Sequence, residues 1–307
     1  MHIPDGMMSG PVCPLTAIVS TVGVAGAAYS AVKSKERPEP IRFASVTALI
    51  FAAQMLNFQI QNGTSGHLLG GVLASSLLGV PFGILSLALV VTLQCLMFSD
   101  GGLTVLGANL LNMGLVGAGL GGLLNNFLKG GQKDLRSLTM TGISAWVSVV
   151  LAAFFLSLEL WMAGVIPLAK VLPAMVSIHA MIGIGEAFLT IIAVYLISES
   201  PKVVAPNTTS TRTSLPYILI VAFLLAGLLS PFASPWPDGL EWVAEKLEFL
   251  HESAPTFVAP LPDYSLPGIS HQGVATAAAG VVGVAATFAV AFLLYTAWCR
   301  PVKTKAS

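Results

Sequence analysis

The chain has 307 residues, of which 55% are hydrophobic and 9% charged, whereas an average soluble domain carries about 25% charged residues. Its 14 basic and 14 acidic residues cancel, which excludes the basic surface that nucleic-acid binders use against phosphates. So apolar a chain, with 30 glycines and 19 prolines, fits transmembrane helices, and a lipid bilayer is its expected surroundings.

The N-terminus, Met1-His2-Ile3-Pro4-Asp5-Gly6, lacks the basic region of a secretory signal peptide, and no A-x-A-like site follows, so the mature chain is expected to begin at or near Met1. A histidine in second position behind a free amine has a chemical meaning. The Met1 amine, the His2 amide nitrogen and the His2 imidazole can close two adjacent chelate rings and occupy three corners of a square around one metal. Square-planar nitrogen coordination selects Ni(II) or Cu(II), with Co(II) also admissible. Because Met-trimming aminopeptidases prefer a small second residue, the bulk of His2 should preserve Met1. Many chains begin Met-His by chance, so the pair needs a fourth nitrogen from elsewhere.

Apolar runs follow at 12–32, 41–60, 67–79, 82–98, 103–127, 138–163, 174–197, 215–232 and 273–298. The third is shorter than the roughly 20 residues that cross hydrocarbon unaided, so it must be buried among other helices or cross only partly. Charge argues for counting it. With nine crossings and the N-terminus outside, Lys33, Lys35, Arg37, Arg42, Lys129, Lys133, Arg136, Lys202, Arg212, Arg300, Lys303 and Lys305 all fall inside, leaving Lys170 and Lys246 outside, as the positive-inside rule requires. The 61–66 loop, Asp100 and the 233–272 segment then share the outer side with Met1.

His67 ends the loop Gln61-Asn-Gly-Thr-Ser-Gly-His67 on that same side, which makes it the candidate fourth nitrogen; an interfacial helix cap would suit it equally. Thr64 and Ser65 are expected to steady its ring by hydrogen bonds. Ala44, Ala48 and Ala52 form a small-residue stripe on the second span, suited either to close internal packing or to docking another subunit. The glycines 114, 117, 119, 121 and 122 are read as internal packing. Asn109 and Asn112 are expected to bond between helices. His179 and Glu186 lie two turns apart on one face of the seventh span, where a structural His-to-Glu contact is favoured over metal ligation. Cys13, Cys95 and Cys299 read as small core residues, and His251 and His271 as surface histidines in an acidic outer segment, where 240–250 has a short amphipathic pattern. The polar stretch 200–214 reads as a linker. The chain lacks H-E-x-x-H, G-x-S-x-G and G-x-x-x-x-G-K-[ST], so active uptake would draw its energy from another chain.

Four motifs in order now align with a known family. Met1-His2-Ile3-Pro4-Asp5-Gly6, Gly63-Thr64-Ser65-Gly66-His67-Leu68-Leu69-Gly70-Gly71, Asp100 to Met113, and His179-x6-Glu186 resemble the substrate-capture (M) subunit of nickel and cobalt energy-coupling-factor transporters, over roughly residues 1–198. Pro237-Asp238-Gly239-Leu240-Glu241 looks like the signature of the small N subunit, here fused, an arrangement that leans toward nickel.

The resemblance implies an all-α, polytopic integral membrane protein: a seven-helix body (1–199), a cytoplasmic linker (200–214) and an N-subunit-like region with two further spans (215–307). It implies the substrate-specificity component of an ABC-type importer in a prokaryotic cell membrane, with Ni2+ or Co2+ as cargo and no organic cofactor. The cargo would be held by Met1, by the amide and imidazole of His2, and by His67. A membrane coupling subunit and two cytoplasmic ATPases would be its partners, with Ala44, Ala48 and Ala52 resembling the docking stripe. The alternative is a stand-alone secondary metal permease in which Asp100, His179 and Glu186 mark an ion path.

Overall fold

The computed structural model describes residues 1–60, 63–129, 134–198, 215–250 and 257–299. The linker at 200–214, His251 and the basic residues Lys133, Lys202, Arg212, Arg300, Lys303 and Lys305 lie outside the described residues. Nearly every element is a helix. α1 (Val12–Lys33), α2 (Pro40–Gln54), α3 (Gly71–Leu78) and α4 (Val80–Phe98) come first. A continuous span, Leu106–Leu128, follows as α5 (Leu106–Asn109), a π-helical stretch (Leu110–Leu120) and α6 (Gly121–Leu128). α7 (Leu135–Met162), α8 (Leu168–Ser198), α9 (Leu215–Leu224), the short α10 (Gly239–Lys246) and α11 (Gln272–Trp298) complete the described chain.

Six of these helices are long and apolar enough to cross a membrane, while Pro40–Gln54 and Tyr217–Phe232 are shorter apolar helices. The protein is a multi-pass, all-helical membrane protein. Ile18, Val22 and Tyr29 on α1 and Ile184 and Phe188 on α8 are exposed, as lipid contact allows. The strands are minimal: β1 (Phe58–Gln59) pairs antiparallel with β2 (Ser65–Gly66), Phe58 opposite Gly66. All three cysteines are free thiols.

The short third span is resolved in an unusual way. Residues 67–70 run without helical hydrogen bonds and then enter α3, and both parts are buried. Irregular backbone at membrane depth is tolerated only where protein satisfies its polar groups. Glu186, fully buried on α8, accepts from the N–H of Leu69 at 2.5 Å and of Gly70 at 2.9 Å, at the N-terminus of α3, where a helix dipole favours an anion. Gln54, at the end of α2, donates to the Leu69 carbonyl at 2.7 Å. A Cβ on Gly71 would lie 2.4 Å from the backbone carbon of Gly117, so glycine alone lets α3 touch the π-helical backbone. Gly121 and Gly122 likewise admit Ser148 and Ser75, the internal packing read from the sequence.

The alanine stripe, which the sequence left open to packing or docking, lies inside the chain. Ala44, Ala48 and Ala52 are each fully buried, on a helix packed against α4, α9 and α11 of the same chain. The stripe thus takes part in packing within this chain.

Glu186→Ala is expected to leave two buried N–H groups unsatisfied, at a cost on the order of 3 kcal/mol. The thermal unfolding midpoint of the detergent-solubilised protein should fall, and Glu186→Gln, able to accept one bond but presenting a donor to the other, should lie between. An unchanged midpoint in both would remove this carboxylate from the account of the third span.

Candidate metal centre

Residues 1–8 fold back into the protein instead of projecting from it. Asn109 on α5 clamps Ile3 from both sides: its Oδ1 accepts from Ile3 N at 2.8 Å and its Nδ2 donates to Ile3 O at 3.1 Å. The N–H of Gly102 donates to the same carbonyl at 2.8 Å. Asp5 accepts from the backbone N–H and hydroxyl of Thr104 at 2.9 and 2.7 Å. A Cβ on Gly102 would sit 2.4 Å from Asp5 N, so the turn after Asp100 must be bare for the terminus to lie on it. Asn109 thus anchors the terminus instead of bridging helices, whereas Asn112 does bridge, donating to Glu159 on α7 at 2.7 Å.

Held in this way, Met1, His2 and His67 are all buried and adjacent. The Met1 amine lies 2.7 Å from His67 Nε2, and the His2 and His67 rings stack with centroids 5.3 Å apart. His67 Nδ1 is 3.0 Å from the Leu68 carbonyl; a carbonyl only accepts, so Nδ1 carries the proton and the Nε2 lone pair faces the amine. His2 is held below its ordinary pKa by burial, with Asp100 opposing. Both of its ring nitrogens face acceptor oxygens, Nδ1 against Asp100 at 3.1 Å and Nε2 against Gln94 at 3.1 Å.

Thr64 and Ser65 do not touch the His67 ring. Thr64 Oγ1 donates to the Ser65 and Pro237 carbonyls, and Ser65 Oγ to Trp236 O at 2.7 Å and Pro237 O at 3.2 Å. Together with Ser65 N to Pro237 O at 2.9 Å, they dock the 236–238 segment beside His67. The physical reason is the hairpin, which turns residue 65 toward that neighbouring backbone while the ring is steadied by its own next carbonyl.

That docking delivers a residue the sequence did not mark as part of the site. Asp238 forms a capping box with Glu241 at the start of α10. Its Oδ1 accepts from Leu240 N at 2.8 Å and Glu241 N at 3.0 Å. Its Oδ2 contacts the Met1 amine and lies 3.9 Å from His67 Nε2. Burial would raise the Asp238 pKa, but the Met1 ammonium, then His67, outweigh it and hold the carboxyl well below the usual range. The Asp-x-x-Glu spacing is a readable capping signal; what it caps against is a tertiary fact. α10 itself buries Leu240, Val243 and Ala244 and packs on α8, so the amphipathic pattern is an internal contact. His271 accepts from Val274 N as the cap of α11.

Beside the site lies a cavity of about 460 Å³ whose lining includes His2, His67, Asp100, Asp238, Glu241 and Asp263, with no Lys or Arg among the described lining residues. Walls of one sign concentrate counter-ions, here cations. Among the described residues no three His, Cys, Asp or Glu side chains converge as metal ligands. Two imidazoles, those of His2 and His67, do converge, beside the Met1 amine.

This terminus, loop and acidic cavity belong to a recognisable class. The family described as cobalt uptake substrate-specific transmembrane region matches residues 2–203, and the PDGLE domain matches 212–300; the chain belongs to the first family and carries the second domain behind it. It is a membrane component of nickel or cobalt transport. Among its relatives, the "Putative fused nickel transport protein NikMN" of Archaeoglobus fulgidus is 34% identical over 300 residues, covering 96% of this chain and 98% of that protein. The fused nickel transport protein of Rhodobacter capsulatus is 27% identical, covering 67% of this chain and 65% of its own length. The crystal structure of a truncated transition metal transporter matches with a TM-score of 0.58 at 28% identity, covering 65% of this chain and 99% of that one.

Gly102→Ala is expected to push the terminus off its floor while leaving the helices intact. Nickel affinity, measured by calorimetry, should fall by roughly 10- to 100-fold, the usual cost of misplacing a ligand's support. Unchanged affinity would mean that the terminus does not depend on this turn.

Proposed function

We propose that this chain captures Ni(II), and less readily Co(II), on the outer side of the membrane in a square of four nitrogens, and that ATP-driven partner subunits complete its import. The nitrogens are the Met1 amine and the His2 amide, each of which gives up a proton to solvent as the metal binds, the His2 imidazole, and His67 Nε2. The observation that carries this reading is the 2.7 Å approach of the Met1 amine to His67 Nε2 across 66 positions of sequence. Adjacent corners of a square with metal–nitrogen bonds of about 2.0 Å lie about 2.8 Å apart, so a metal can replace the hydrogen bond with little movement of either group. Chelate geometry assigns the third corner to His2 Nδ1, which closes a six-membered ring with its own amide nitrogen; reaching it requires Asp100 to release that atom.

Stripping water from a doubly charged ion is expensive. Four placed nitrogens, with the Asp238 carboxylate at the amine, offset that cost. Nickel is favoured because square-planar nitrogen ligation suits it, and because fused nickel transport proteins are among the relatives. A coupling subunit and two ATPases are the inferred partners, since this chain carries no phosphate-binding loop of its own. A stand-alone permease would draw on Glu186, but that carboxylate is already committed to two backbone N–H groups.

The test is calorimetry with Ni(II), Co(II) and Cu(II) on protein whose native Met1 start is verified by intact mass. His67→Ala should weaken nickel by more than about 100-fold, because losing a ligand exceeds the 10- to 100-fold cost of losing a ligand's hydrogen-bond partner. A residue added before Met1 should do the same, because the amine becomes an ordinary amide. Tight nickel binding by the extended protein would refute the reading.

A further inference from the structure

α8 brings one more imidazole to this place. His179 is 1% exposed, and it does not meet Glu186 as its spacing suggested: its Nδ1 lies 2.9 Å from the Met175 carbonyl. Since that oxygen can only accept, the ring proton sits on Nδ1 and Nε2 presents a lone pair. Among the described residues no partner meets Nε2. A buried acceptor left in this state loses the hydrogen bonds it had in water and calls for a specific explanation.

The position of Nε2 supplies one. A small void of about 10 Å³ is lined by Met1, His67, His179 and Asp238, with Gly66 and Gly239 among its other walls. A Cβ on Gly239 would come within 3.1 Å of His179 Cε1 and 3.3 Å of Nε2, so the lone-pair edge of the ring is the edge turned toward this wall. The void is about the smallest that holds one water-sized particle. It therefore admits a single water or a single dehydrated ion, with nitrogen donors on two of its sides.

Resting on the four-nitrogen reading above, we propose that His179 Nε2 is a further metal donor on the α8 side of the site, able to take the ion when it leaves the corner held by His67. No bond other than metal–nitrogen forms or breaks, and no proton moves, because Nε2 is already free. The function of such a donor is to keep the ion ligated by nitrogen while one corner of the square opens.

Cu(II) reports this directly, since it shares the square-planar preference and pulsed electron paramagnetic resonance counts the imidazoles bound to it. The full chain with its native start is loaded with Cu(II) alone. The wild type should show two imidazoles, from His2 and His67. In His67→Ala, at saturating copper, a second imidazole should persist, now from His179. In the double variants His67→Ala/His179→Phe and His67→Ala/His179→Asn it should be lost, the asparagine version guarding against a phenylalanine that does not fit. A single imidazole already in His67→Ala overturns the proposal and assigns the void to a water, while leaving the capture reading intact. Fewer than two imidazoles in the wild type would instead overturn the capture reading itself.

Discussion

The structure depends on a stretch of backbone that has no helix to satisfy it, running from the Ser65 strand to Gly70 through the interior of a membrane protein. Each unpaired N–H or C=O there would cost about as much as a lost buried hydrogen bond. The fold answers group by group: Pro237 O takes Ser65 N, Gln54 takes Leu69 O, and Glu186 takes Leu69 N and Gly70 N. These partners come from the region near α10, from α2 and from α8. The need to satisfy one irregular segment therefore locks distant parts of the chain together, and His67 sits in the middle of it.

The same logic explains why the terminus is tucked in. Met1 to Ile3 bring an amine and backbone amides into a buried place, and Asn109, Gly102 and Asp238 receive them. Asp238 performs two tasks with one carboxylate, capping α10 through Oδ1 and meeting the amine through Oδ2. The C-terminal region is consequently not an accessory tethered at a distance. Its α9 and α11 pack on α2, and its Pro237-Asp238 segment forms one wall of the site. Fusing the two parts in one chain keeps that wall at hand without a separate binding event.

How much of this the sequence disclosed follows from the range of each interaction. The spans were legible because a bilayer demands long apolar runs whatever surrounds them. Met1 and His2 were candidates because chelate rings are local chemistry, and His67 because its loop was expected on the same side; the fold brings the three together, and their role as ligands belongs to the proposal. Thr64 and Ser65 were assigned to the wrong neighbour, since the direction of a hydroxyl in a two-residue strand is set by the backbone docked beside it. The Ala44, Ala48 and Ala52 stripe has the same spacing whether it faces another subunit or the chain's own helices. His179 and Glu186 share a helix face, yet each bonds elsewhere, because a carbonyl one turn back and two starved N–H groups were nearer needs. Asp238 was beyond reach: a cap is a local feature, but an ion pair with residue 1 is not.

The chemistry of the site separates attraction from selection. The carboxylates of Asp100, Asp238, Glu241 and Asp263 in the cavity wall draw in any cation, and as oxygen donors they suit magnesium or calcium as well as a transition metal. They do not form the converging oxygen cage such ions require. Nitrogen ligation in a plane favours the later first-row metals, and the nitrogens of Met1, His2 and His67 stand just where those carboxylates end. The link between the two stages is Asp238, which belongs to the wall and also touches the amine. In the proposed capture, an ion that takes the ammonium's place at this carboxylate is at once within reach of the Met1 nitrogen, which binds it as its extra proton passes to water. Asp238 would thereby make charge the first criterion and ligand geometry the second, and an ion that satisfied only the first would find nothing further to bind.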